Sequence, residues 1–107
     1  MIDSIPEIVL KRLRENWGER AESLNCFAEI KFMDGTSGWC WYLLALDPDD
    51  DDTIKCIVDE GDGPEIMNWT LGELERFYDS HGESPKIDRE YRRMKADLLY
   101  SKLMGKA

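Results

Sequence analysis

Residues 39–47 read Trp-Cys-Trp-Tyr-Leu-Leu-Ala-Leu-Asp, so two tryptophans, a tyrosine and three leucines precede the first charge, Asp47. Side chains on a strand alternate between faces. Trp39, Trp41, Leu43 and Ala45 would share one face, and Cys40, Tyr42, Leu44 and Leu46 the other. Both sets are apolar, which predicts a central strand covered on both sides.

The chain, 107 residues long, fits one domain over 1–107. Ser4-Ile5-Pro6-Glu7 has the pattern of a capping box. Ile5, Val9, Leu13 and Trp17 recur every fourth residue with Leu10 beside them, and Gly18 supplies a stop. The spacing predicts a helix over 5–17, then a polar connection over 19–25. A first strand follows over 26–33, with Cys26, Ala28, Ile30 and Phe32 on one face and Phe27, Glu29, Lys31 and Met33 on the other. Residues 34–38, Asp-Gly-Thr-Ser-Gly, have hairpin-turn chemistry and pair this strand antiparallel with the central one.

A third strand is expected over 53–59 and a short fourth over 66–69. Thr70-Leu71-Gly72-Glu73 is a second capping box, opening a helix with Leu71, Leu74, Phe77 and Tyr78 on one face and Gly82 at its end. Asp88 is expected to cap a last helix with the stripe Tyr91, Met94, Leu98 and Lys102, Leu99 and Leu103 adjacent, and Arg89, Arg92, Arg93 and Lys95 opposite. The fold class expected is α+β: an antiparallel meander of three to four strands packed by an N-terminal helix and two C-terminal helices.

No apolar run approaches the roughly 18 residues needed to span a bilayer. The start, Met-Ile-Asp-Ser, lacks the basic-then-apolar layout of a signal peptide, so a cytoplasmic location without membrane contact is expected. Cys26, Cys40 and Cys56 are odd in number, sit inside expected strands and lack C-x-x-C spacing. They read as buried thiols rather than a disulfide framework or zinc site, and no cofactor is expected.

The 23 acidic and 14 basic residues give a net charge of −9, which disfavours direct nucleic-acid binding. Nine carboxylates, Asp47, Asp49, Asp50, Asp51, Asp52, Asp59, Glu60, Asp62 and Glu65, stand beside one cation, Lys55. A calcium loop starting at Asp47 fails, because Asp52 stands where glycine is needed and Val58 where a bidentate glutamate belongs. If the two acidic turns share one sheet end, the resulting negative surface could imitate a phosphate backbone. It would then dock in the basic groove of a nuclease or nucleic-acid-binding protein. The plainer reading, polar turns that keep the chain soluble, carries more weight on composition alone.

Seven cations (Lys86, Arg89, Arg92, Arg93, Lys95, Lys102 and Lys106) oppose Asp88, Glu90 and Asp97 near the C-terminus. Pairing with the protein's own acidic side, or with the end of a helix dipole, accounts for them more simply than nucleic acid does. Catalysis has little to work with. His81 is the only histidine and lies before a helix-ending glycine, and no nucleophile motif is present. Gly61-x-Gly63 lacks the context of a phosphate loop, and Asp59 and Glu60 would point to opposite sides of a strand. Trp39, Trp41 and Trp69 read first as core. Exposed ends of the tryptophan-rich sheet would offer a partner an anchor, and an uncovered sheet face would be the first candidate for the interface of a homodimer or structural module.

Residues 28–75 also carry a recurring set of features: Ile30-Lys31-Phe32, a tryptophan strand after a glycine turn, Leu46-Asp47-Pro48-Asp49, an Asp-x-Gly-x-Gly-Pro-Glu turn ending at Glu65, and Thr70-Leu71-Gly72-Glu73-Leu74-Glu75. In these the chain resembles a family of small bacterial and mobile-element proteins, domain of unknown function number twenty-nine fifty-eight. Trp-Cys-Trp replaces the single aromatic usual there, and the C-terminal segment is more basic. The resemblance implies an α+β scaffold carried on plasmids and phage-like elements beside anti-defence genes, and it supplies no catalytic residue. With the acidic clustering, it leads to the expectation of a non-enzymatic inhibitor of a host defence nuclease, of the anti-CRISPR or antirestriction type.

Overall fold

The computed structural model describes residues 2–105, leaving Met1, Lys106 and Ala107 outside. The chain is α+β, as the sequence suggests, with helices on both sides of an antiparallel sheet. After a short 3-10 turn come α1 (Glu7–Asn16), α2 (Glu19–Glu22), β1 (Phe27–Ala28), β2 (Ile30–Met33), β3 (Cys40–Leu46), β4 (Thr53–Asp59) and β5 (Pro64–Thr70). Then follow α3 (Leu71–Glu75), β6 (Lys86–Ile87), β7 (Met94–Lys95) and α4 (Ala96–Met104). The main sheet runs β5-β4-β3-β2-β6, and β1 and β7 form a separate two-stranded ladder. The meander β2-β3-β4-β5 is the one the turn chemistry predicts, and β6 adds a fifth strand through Ile87 opposite Phe32.

β3 lies at the centre, with Trp41, Leu43, Leu44, Ala45 and Leu46 wholly buried. One core, under α1 and α3, holds Leu10, Leu13, Phe32, Trp41, Leu43, Leu46, Ile54 and Leu74. The other, under α2 and α4, holds Ala21, Cys26, Ala28, Tyr42, Leu44, Ala45, Ile57, Ala96 and Leu99. The strict alternation expected for β3 therefore holds only to Leu44. A bulge between Leu43 and Ala45 puts one extra residue against β4, so Leu43 opposes Cys56 but Ala45 opposes Lys55. Each extra residue exchanges the two faces beyond it. Ala45 and Leu46 consequently occupy the cores opposite to those expected.

The neighbouring chain changes face at the same level. The expected 26–33 strand breaks at Glu29, so Cys26 and Ala28 enter one core and Ile30 and Phe32 the other. The Glu29 amide still donates to the Leu43 carbonyl at 2.9 Å. From α1, Asn16 Nδ2 donates to the Leu44 carbonyl at 3.0 Å, satisfying a group in the bulged stretch. It also lies 3.5 Å from Glu29 Oε2. Arg93 grips the Glu29 carboxylate with Nε at 2.8 Å and Nη2 at 2.9 Å. Its guanidinium also stacks 4.1 Å from the Phe27 ring centroid. A buried carboxylate is tolerable only when so paired.

Other expectations are corrected by tertiary pairing. α1 starts at Glu7 behind Pro6, with no side chain capping it in place of the expected Ser4–Glu7 box. Gly18, at φ 104°, separates it from α2, which forms inside the expected polar connection. The Thr70–Glu73 capping box forms as expected, Glu73 N to Thr70 Oγ1 and Thr70 N to Glu73 Oε1 both at 2.9 Å. Its helix ends at Glu75 rather than near Gly82. Phe77 leaves that helix to meet Trp39, Trp41 and Trp69 at centroid distances of 5.0, 4.9 and 6.0 Å, while Tyr78 is exposed. Residues 88–95 are not helical. β7 pairs with β1, and α4 starts only at Ala96 with Ala96, Leu99 and Leu103 inward and Leu98 outward.

Asn16→Leu keeps the side-chain size but strands the Leu44 carbonyl. The expected loss is about 1–3 kcal/mol, the usual cost of an unmet buried acceptor, read from the denaturant midpoint with unchanged slope.

Candidate functional site

The nine candidate carboxylates fall into two groups. In a meander, successive turns lie at opposite ends of the strand they share. Residues 47–52 join β3 to β4, and residues 60–63 join β4 to β5. The seven residues of β4 separate them by roughly 20 Å. Asp47, Asp49, Asp50, Asp51 and Asp52 are thus at one sheet end, and Asp59, Glu60, Asp62 and Glu65 at the other. The contiguous surface that would form if the turns shared an end is absent.

Within the first group most carboxylates shape the hairpin. Asp47 Oδ1 accepts from the Asp49 amide at 2.9 Å, and the Asp51 amide returns to the Asp47 carbonyl. Asp50 accepts from the amides of Asp52 and Thr53 and from the Thr53 hydroxyl at 2.6 Å. The Thr53 hydroxyl and these amides hold the Asp50 carboxyl below its ordinary value of 3.8. Asp51 adopts φ 51°, a left-handed geometry that aspartate tolerates better than most residues, and its carboxylate meets Arg14 at 2.9 Å. Asp52 anchors the turn to α3 through its carbonyl to the Leu71 amide and its Oδ1 to the Gly72 amide. The Asp49 carboxylate is exposed and enters no hydrogen bond or ion pair among the described residues, only its main-chain amide being engaged.

At the other end, Asp59 Oδ1 accepts from the Gly61 amide at 2.9 Å, while Glu60, Asp62 and Glu65 extend into solvent. Acidic Asp79 lies in the loop packed against the β2–β3 turn, where Ser80 Oγ meets Thr36 Oγ1 at 2.8 Å. His81 is exposed; its main chain donates to Asp79 Oδ1, and its ring lies near enough to that carboxylate to help the Glu83 amide hold it below its ordinary value.

The cations gather elsewhere. Between Phe32 and Pro85, fourteen carboxylates meet only two cations, Lys55 and Arg76. On the α4 side, Lys31, Arg92, Arg93 and Lys102 line one cleft of about 490 Å³, and Arg12, Arg20, Arg93 and Lys95 line a second of about 350 Å³. The sequence pattern places three of these, Arg92, Arg93 and Lys95, on one helix face together with Arg89. The structure instead puts Arg92, Arg93 and Lys95 on extended chain, because β7 must reach β1. Lys31 carries no signal of its own beyond its place among apolar strand residues.

The tryptophans are core. Trp41 is fully buried, and Trp39 and Trp69 are half-buried against it at 6.0 and 5.5 Å. The cysteines divide between the cores, Cys56 with one and Cys26 and Cys40 with the other. Among the described residues no group of three or more His, Cys, Asp or Glu side chains is arranged to hold a metal, and no helix is long and apolar enough to cross a membrane. Comparison of the chain with protein-family models, curated proteins and solved structures returns no match.

Burial raises the Cys26 thiol to about 11 and Cys56 to about 12, and raises Cys40 as well. At pH 8 Cys26 and Cys56 stay almost wholly protonated, whereas an ordinary thiol is partly ionised. A chromogenic disulfide reagent should therefore label half-buried Cys40 first and reach Cys26 and Cys56 only on unfolding. For Asp50, a lowered folded value means its contribution is full above its unfolded value and fades as pH falls through the folded one. Because the folded value lies below 3.8, the protection of the Asp52 and Thr53 amides, corrected for the intrinsic pH dependence of exchange, should hold down to that pH and fall only below it, and Asp50→Asn should remove that dependence.

Proposed function

We propose that the chain is a non-catalytic interaction protein that presents the 47–52 hairpin to a basic surface. The observation carrying this reading is five aspartates on a six-residue turn fixed to β4, α1 and α3, with Arg14 the only cation paired to them among the described residues. A pre-ordered loop loses little conformational freedom on binding, and its field speeds encounter with a cation-lined groove. The partner class proposed is a nuclease or other nucleic-acid-binding protein, whose phosphate-binding groove has the complementary charge. The resemblance to mobile-element proteins supports a defence-system nuclease and an inhibitory role. Because the acidic residues occupy two ends, one end at a time would dock, and the denser 47–52 end is the site proposed.

The neutralising substitutions should avoid the carboxylates that build the turn. Asp49→Asn with Asp51→Asn removes two charges and one half-exposed ion pair, which should change stability by no more than about 1 kcal/mol. A partner captured from the source cell at low salt, then titrated in purified form, should bind this variant about tenfold more weakly, a loss of about 1.4 kcal/mol. Glu60→Gln with Asp62→Asn should leave affinity unchanged. Equal affinity for all three proteins, or capture that persists undiminished in high salt, would overturn the reading. A salt-insensitive homo-oligomer by light scattering would favour a structural module instead.

A further inference from the structure

We infer that the cleft between α4 and the β2–β3 surface is a binding site for an organic anion that carries an apolar or aromatic body. This goes beyond the hairpin reading and uses none of its residues. The cleft, about 490 Å³, falls within the roughly 300–1,000 Å³ of small-molecule sites. Its floor is apolar: Leu99 and Leu103 from α4 beside the rings of Tyr42 and Tyr91, whose centroids are 5.7 Å apart. Tyr91 is fixed there by its hydroxyl, which donates to the Ala28 carbonyl at 2.8 Å. A floor of this kind accepts a flat or aliphatic group and offers it little to hydrogen-bond.

Charge supplies the other half. Lys31 reaches into the cleft with a side chain only 18% exposed, 5.3 Å from the Tyr42 centroid and 3.4 Å from Asp88 Oδ2. Asp88 and the Tyr42 hydroxyl engage two of the ammonium's three donors, leaving the third for a ligand. Arg92 and Lys102 line the same cleft and make no ion pair within 4.0 Å among the described residues. Arg93, the fourth cation, is committed to Glu29. Two carboxylates face these groups, Asp88, already engaged by Lys31, and Glu90. A cleft with cations in excess attracts an anion against the overall repulsion of a chain of net charge −9. Neither half suffices alone: a bare anion would leave the floor wet, and a neutral ring would leave Lys31, Arg92 and Lys102 unused.

Four probes separate these contributions in an amide chemical-shift titration of the full chain: benzoate, phenyl phosphate, inorganic phosphate and benzyl alcohol. Benzoate and phenyl phosphate at millimolar concentration should shift Lys31, Leu99 and Lys102, and the tighter of the two identifies the preferred head group. Inorganic phosphate and benzyl alcohol should not shift them at the same concentration. Arg92→Gln with Lys102→Gln, both exposed positions, should weaken benzoate about tenfold while preserving the native spectrum. Lys31→Met should abolish binding, and Asp49→Asn with Asp51→Asn should leave it intact. Equal shifts from benzyl alcohol would make this an apolar crevice only. Equal shifts from phosphate would mean diffuse surface attraction, and either result, no shift from any probe, or unchanged benzoate affinity in the double variant overturns the inference.

Discussion

The structure depends on how two adjacent chains change face at one level of the sheet. β3 is buried on both sides, so its bulge cannot release a carbonyl to water. Asn16 reaches from α1 to the Leu44 carbonyl, Glu29 accepts beside it, and Arg93 closes on Glu29 from chain more than sixty residues later. Three elements distant in sequence are thereby held at the same place. Were any of the polar partners missing, the cost would be that of an unpaired group in a low-dielectric interior rather than of one exposed contact. The network also sets the path of residues 88–95, because Arg93 can reach Glu29 only if that stretch runs along β1 instead of coiling.

This explains which parts of the fold were readable in the residues. Double-sided burial of β3 followed directly from apolar residues at odd and even positions alike, and the Thr70–Glu73 cap from local chemistry whose two halves lie three residues apart. Meander pairing of β2 to β5 followed from turn residues at short spacing. The face change was not readable, since alternation assumes one residue per pleat and a bulge leaves no fixed signature in an apolar run. The late start of α4 was hidden for a different reason. Tyr91, Met94 and Leu98 have helical spacing, but pairing of Met94 and Lys95 with β1 overrides it, and the true inward stripe is Ala96, Leu99 and Leu103. Phe77 likewise gains more among three tryptophans than in another helical turn.

The candidate site was readable as residues and not as an arrangement. Nine carboxylates within nineteen positions look like one patch on paper. Yet a strand lies between the two turns, and a meander sends consecutive turns to opposite ends. The separation of the cations was equally topological. The C-terminal segment carries them in sequence, but their neighbours are Lys31 and the α1–α2 arginines, brought together because β1 and β7 pair beside α4. Polarity of the surface thus arises from strand order more than from composition.

β5 forms one border of the sheet, with Glu65, Ile66 and Asn68 exposed along it. Such a border normally invites a second strand. Here the 60–63 turn precedes its first residue, and at its far end Thr70 lies beside Thr53, where Asp52 binds the Leu71 amide. A copy approaching in parallel would bring like turn against like turn. One approaching antiparallel would set the first acidic end against the second. Either orientation meets carboxylates with carboxylates, so the division of charge between two ends guards the open border in both directions, most strongly where ions are too dilute to screen it.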